Sequence, residues 1–298
     1  MITKNHDKLF LRQAFLLAAI LMSSELWAVQ DKSPWSTNAK ISVGGDDNLS
    51  QAEQASDIAE DQFAEISASL AFSRLLTVKQ GYTIAGFTKL KGHKKFSALD
   101  SNSLGFSAIY RIQPKLGFTQ PLYQLSATLR VEEFDFEQRD NTTIELRAQV
   151  KKRITDKLTA SVGLEQQTTE SDGTVFDLQR SKLLTNLDLS LNRSSLLYFS
   201  YNYIDGDSVS TGFANNQPFK VIYAQEAFEQ DQAFSKELSG TWMAYKISAK
   251  TQTFKLGYNK RIGNAMSIDI SALMADVKAE GNNNYQRLIS RFSLSKRF

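Results

Sequence analysis

The chain of 298 residues has no cysteine, four prolines, two histidines and, past its N-terminal region, no long hydrophobic run. The absence of cysteine rules out a disulfide scaffold and a lipid acceptor, so burial and backbone hydrogen bonds must hold the fold. Without a later segment near the roughly 20 apolar residues of a bilayer-crossing helix, a helical membrane protein is excluded. With 35 Lys and Arg against 32 Asp and Glu, the net charge of +3 argues against a nucleic-acid partner. A mean hydropathy of −0.33 looks water-soluble, yet a barrel whose strands face water on one side scores the same way. The period of the pattern has to decide.

At the N-terminus, Lys4, Lys8 and Arg12 precede the apolar run Ala14 to Met22, which Ser23, Ser24 and Ala28 follow. This is the layout of a secretory signal peptide. Residues 1–28 are expected to be cleaved, leaving 29–36 as a periplasmic N-terminal segment and 37–298 as the folded unit. The run is about half the length of a membrane anchor.

From Asn38 onward, segments of period-two alternation follow one another between polar turns. Ala39, Ile41 and Val43 alternate with Lys40 and Ser42; Ala64, Ile66, Ala68, Leu70 and Phe72 alternate with Glu65, Ser67 and Ser69. Tyr123, Leu125, Ala127, Leu129 and Val131 oppose Gln124, Ser126, Thr128, Arg130 and Glu132. Ile144, Leu146, Ala148 and Val150 oppose Glu145, Arg147, Gln149 and Lys151. Turned to lipid, Arg147, Lys151 and Arg153 would each cost up to about 2–4 kcal/mol at mid-bilayer, so their face must be the lumen. Such segments predict twelve strands. Short turns at 155–157, 193–195 and 263–265 alternate with long outer connections at 46–61, 92–102 and 206–250. Within the last, Phe219–Ala224 and Leu238–Ile247 form an outward hairpin of the loop or else two further wall strands, giving fourteen.

A soluble sandwich would alternate too. Spans of about 9–11 residues suit a membrane-crossing strand better than the soluble average, and only a closed sheet leaves no backbone edge unsatisfied in hydrocarbon. Aromatic residues near strand ends, such as Tyr82, Tyr110 and Tyr203, suit the headgroup level. The expected fold is therefore all-β: a transmembrane antiparallel up-and-down β-barrel.

The last strand places Leu288, Phe292, Leu294 and the terminal Phe298 on one face and ends Ser-Lys-Arg-Phe. This resembles the terminal signature of bacterial outer-membrane β-barrel proteins. The resemblance implies residence in the Gram-negative outer membrane among lipid and lipopolysaccharide, and implies that the barrel-assembly machinery reads Phe298. Lys296 departs from the pattern, which has an apolar residue there, so weaker recognition is expected.

Enzymes among barrels of this class, omptin-type proteases and the outer-membrane phospholipase, need a histidine. After the signal peptide only His93 remains, within Lys89-Leu90-Lys91-Gly92-His93-Lys94-Lys95, and the sequence pairs it with neither an orienting acid nor a nucleophile. No enzyme is expected, and no cofactor or metal: the acidic stretch Asp46 to Asp61 matches no calcium loop. Lys91, Lys94 and Lys95 would face lipopolysaccharide phosphates if their loop lies at the headgroups. Inward parity collects Lys40, Lys89, Lys91, Arg111, Arg130, Arg147, Lys151, Arg153, Lys255, Arg261, Arg287, Arg291 and Arg297. Against them stand Asp46, Glu65, Glu132, Glu145, Glu165, Asp188 and Asp269. The cationic excess favours a channel or export pore for small anions, lined by Arg111, Arg130, Glu145, Arg147, Lys151, Lys255 and Arg291, with 206–250 as gate. The alternative is a plugged interaction barrel that presents its outer loops to a surface polymer or lipopolysaccharide. Sequence leaves the permeant molecule and the oligomeric state open.

Overall fold

The computed structural model describes residues 33–216 and 227–298. The expected signal peptide and the segment Phe219–Ala224 lie outside the described residues. The alternating segments form β1 (Trp35–Asp46), β2 (Asp61–Thr77), β3 (Gln80–His93), β4 (Ser101–Ile112), β5 (Leu122–Phe134) and β6 (Asn141–Arg153). They continue as β7 (Leu158–Ser171), β8 (Leu178–Asn192), β9 (Ser195–Phe213), β10 (Ala227–Gln230), β11 (Trp242–Ile262), β12 (Met266–Ala279) and β13 (Asn284–Arg297). Every pairing is antiparallel. β9 bonds to β11 and β13 to β1, which closes an up-and-down ring of twelve strands and leaves β10 as one extra strand on β11. The first strand begins at Trp35, slightly before the expected boundary at 37.

Along β5, exposed and half-buried residues alternate without interruption, with Tyr123, Leu125, Leu129 and Val131 on the exposed edge. Leu104 is 70% exposed and Leu164 65%. So much outward apolar surface is untenable in water and requires hydrocarbon around the ring. Among the described residues no helix is long and apolar enough to cross a membrane; strands do the crossing.

Inside, three cross-strand partners join a glycine to an aromatic ring: Gly44 with Phe63, Gly105 with Phe87 and Gly257 with Tyr198. In each pair the ring lies so close to the glycine that an added Cβ would overlap it. The ring covers backbone that a glycine alone would leave bare, which pins the register of three separate strand pairs.

Tight turns gather at the end of the barrel that holds both ends of the described chain. Thr77 and Thr155 hydroxyls there accept the amides of Lys79 and Lys157, and Gly263 takes the left-handed φ of 61° that its turn demands. Strict alternation of loop length fails at 113–121, which belongs to this turn end yet is longer than 94–100 at the other. The segment 206–250 is also corrected. β9 runs on to Phe213 and β11 starts at Trp242, paired from Ser195↔Lys260 up to Phe213↔Trp242. The two strands overhang their neighbours, since β8 starts its pairing at Arg180↔Gly206 and β12 stops at Ala249↔Ala279. Only 214–241 connects them, and the fourteen-strand alternative is overturned because β9 and β11 bond directly.

Candidate functional site

The loop end of the barrel is closed by its own connections. A short helix α1 (Gln232–Ser235), capped by Asp231 accepting the Ala233 amide, carries Ala233 and Phe234 into a cluster with Ala59, Phe96, Ala98, Leu99 and Trp242. The Phe96 and Phe234 rings meet at 4.9 Å. These side chains come from three connections on different sides of the ring. Polar groups cross the mouth as well: the Thr211 amide of β9 donates to Ser50 of the β1–β2 connection (2.8 Å), and Tyr285 of β13 donates to Gln51 (2.8 Å). Two buried carboxylates lock the arrangement. Asp231 accepts from Arg139 (2.6 Å) and Thr211 (2.9 Å); Asp57 accepts from the Phe213 amide and from Asn216. The result is a folded lid.

Three successive outer connections share one device. After a single 3-10 turn, Asp100, Asp140 and Asp177 each accept, at 2.6 Å, the amide of the last residue of the preceding strand: His93, Phe134 and Ser171. The carboxylate satisfies a donor that the ladder cannot reach. Beneath the lid, Glu229 on β10 has a buried Oε1 without a hydrogen-bond partner. Burial, then the neighbouring Asp231, push its carboxyl above the ordinary range, while Arg139 pulls the other way.

Below, the lumen carries pairs of opposite charge. Glu165 accepts from Arg147 (2.6 Å) and from Lys182 (2.7 Å). Glu132 lies 3.4 Å from Lys89 and 3.8 Å from Arg130, and takes a bond from Ser101. Arg287 grips both oxygens of Asp46. Arg291 lies 3.7 Å from Glu65 and, like Lys91, stands over the Phe63 ring. Lys255 stands over Tyr198, whose hydroxyl donates to Asp269 two strands away (3.0 Å). Lys151 lies 3.6 Å from Asp188, Arg111 donates to Thr83 (2.6 Å), and Glu145 is half-buried at the same parity.

The expected lining residues are thus spread around the ring rather than gathered in one cluster. Lys182 was missed, although its inward parity on β8 is readable once that strand is extended back to Leu178. Asp231 and Asp57 leave no periodic signal, because their partners are remote in sequence. One expected lipopolysaccharide contact is corrected: β3 continues to His93, so Lys91 points inward over Phe63 and cannot reach headgroups, whereas Lys94 and Lys95 remain exposed. Phe298 lies at the seam, its amide donating to Thr37 (2.9 Å).

His93 gains a neighbour that the sequence did not reveal, Asp61 at 3.4 Å across the strand. Asp61 already accepts the amides of Gln62, Lys95 and Phe96, and His93 Nδ1 has no hydrogen-bond partner. Asp61 thereby ties the β3–β4 connection to the start of β2. Among the described residues no group of three His, Asp or Glu side chains is placed to hold a metal.

No protein-family model and no curated protein matches the chain. Among solved structures, an outer-membrane channel from Pseudomonas putida F1 is similar at 11% identity, with 92% of this chain and 99% of that chain covered and a TM-score of 0.57. The KdgM porin is similar at 10% identity over 88% of this chain and 99% of that chain, with a TM-score of 0.42. The translocator domain of the autotransporter NalP from Neisseria meningitidis is similar at 11% identity over 96% and 95%, also with a TM-score of 0.42. The chain shares the closed antiparallel β-barrel fold of the Pseudomonas putida channel, and its outward apolar girdle is the surface that such a fold presents to lipid.

Proposed function

We propose that this barrel is an outer-membrane channel for small anionic solutes, gated at its outer mouth by the connection 214–241 and the loops packed on it. The observation that carries the reading is the lumen: a ring of twelve strands whose inward positions are polar and charged, with cations exceeding the carboxylates that they neutralise. Arg111, Arg130, Glu145, Arg147, Lys151, Lys255 and Arg291 are the lining groups that we assign to the path. His93 and Asp61 serve the lid rather than a reaction. Lys94 and Lys95 are the cations left for lipopolysaccharide phosphates, and Phe298 is the residue for the barrel-assembly machinery to read.

Planar-bilayer recording tests this. Ohmic, anion-selective steps are expected, with larger conductance once 214–241 is shortened. A correctly folded protein that stays silent in both forms rejects the channel. One feature favours the second reading, a non-conducting barrel that presents its loops to a partner: the lid has its own apolar core around Phe96, Phe234 and Trp242.

A further inference from the structure

Charge is distributed unevenly along the barrel axis. At the loop end several inward cations are paired, Arg287 with Asp46, Arg139 with Asp231, Lys246 with Asp207, and Lys89 and Arg130 with Glu132, while Lys91 stands over Phe63 and Lys94, Lys95 and Lys236 lie exposed on the connections. That end carries further acids in or beside its connections, Glu53, Glu60, Glu133, Glu170 and Asp172. The turn end is the reverse. Its connections hold Lys79, Lys115, Lys157 and Arg193 against Asp156.

The inward rim follows the same rule. Arg111 on β4, Arg153 on β6, Arg261 on β11 and Arg297 on β13 occupy the last inward positions of strands distributed around the ring. Among the described residues none of these four has a carboxylate within 4 Å. Arg111 donates to the Thr83 hydroxyl and Arg153 to the Asp156 carbonyl. Arg153 also lies 3.7 Å over the Phe118 ring. Arg261 and Arg297 are exposed. An ion pair nearby, Lys151 with Asp188, sits deeper.

Guanidinium groups that face a common opening without internal counter-charge leave a positive potential in that mouth. Low-dielectric walls focus such a potential and raise the local concentration of anions, and the planar guanidinium fork suits carboxylate and phosphate oxygens. We infer that the turn-end mouth is a collecting site for small multivalent anions, of the polycarboxylate or phosphate kind, approaching from the periplasmic side. The acidic loop end repels the same ions, so the asymmetry assigns the channel an outward polarity. The polarity rests on the channel reading; the binding site does not.

The test separates the two. Citrate and, in a second arm, pyrophosphate are titrated by calorimetry into the full-length folded barrel in neutral detergent at low salt. The triple variant R153Q/R261Q/R297Q is compared with a loop-end control, K236Q/K250Q/K278Q, whose lysines are exposed. Saturable binding weakened at least tenfold by the first triple and unchanged by the second is expected, and which arm binds more tightly identifies the anion class. Heat-modifiable migration of each variant verifies the fold. Absence of binding by the wild type, or equal loss in both triples, overturns the site. A silent bilayer with intact citrate binding would sink the channel and leave the site standing; a conducting pore equally selective with and without the three arginines would sink the polarity.

Discussion

The two mouths of one cylinder solve opposite problems with the same residues. At the loop end, buried carboxylates are partnered inside the fold, Asp231 and Asp46 with arginines and Asp61 with backbone amides, and aromatic side chains fill what remains. At the turn end the arginines stand in water with hydroxyls, carbonyls and a ring as company. What separates a plug from a vestibule here is whether acids accompany the bases, not how many bases there are.

The sharpest way to break the contrast is to open the closed end. Asp231→Ala strands Arg139 in a partly buried position, and removing one partner of a buried pair costs about 3–5 kcal/mol. The lid should detach while the ring survives, read as protease cleavage within 214–241 and a several-fold rise in conductance; an unchanged cleavage pattern would show that the apolar cluster suffices. Next in size is the wall common to both ends. Gly105→Ala forces a methyl into the Phe87 ring, and overpacking of this kind costs about 1–3 kcal/mol. A lower urea midpoint is expected, relieved by adding Phe87→Ala.

The loop device offers a smaller effect. Asp140→Ala removes a charged acceptor from the Phe134 amide, worth about 1.5–3 kcal/mol in a buried setting and less at this half-exposed corner. Faster hydrogen exchange confined to 134–141 is the expected signature. Smallest is a pH effect. Glu229 faces Asp231, Asp177 and Arg139, and its folded-state carboxyl titrates above its unfolded value. Its contribution is therefore complete below the unfolded value and is lost as pH rises through the folded one. Protease access to 214–241 should increase as pH rises above the ordinary carboxylate range, and Glu229→Gln should abolish that increase; persistence of the slope in the variant assigns it to other groups.

Much of the wall was legible because each strand separates oil from water, and a pleat records that as strict alternation. Tyr123 to Val131 is the clearest case. Legibility stops where that separation stops. Beyond Gly206, β9 has Ser208, Val209, Ser210 and Thr211 all buried, so both faces are covered and the pattern goes flat; a strand there reads as loop. Lys91 reads two ways, since parity puts it in the lumen while its basic neighbours suggest a loop, and only the length of β3 decides. The lid's Asp57 and Asp231 depend on partners scattered through the chain. The repeated spacing from Phe96 to Asp100 and from Phe136 to Asp140 does lie in the sequence, and becomes meaningful once both aspartates are seen to hold a strand-end amide.

The seam has a consequence for biogenesis. β1 can complete its second ladder only with β13, whose final contacts join Asn38 to Arg297 and the Phe298 amide to Thr37. Until β13 is in place, any partial sheet ends in two unsatisfied edges, each a template for another chain. The hydrogen bonding of the ring is complete only when its first and last strands meet, so closure is the step that removes both exposed edges.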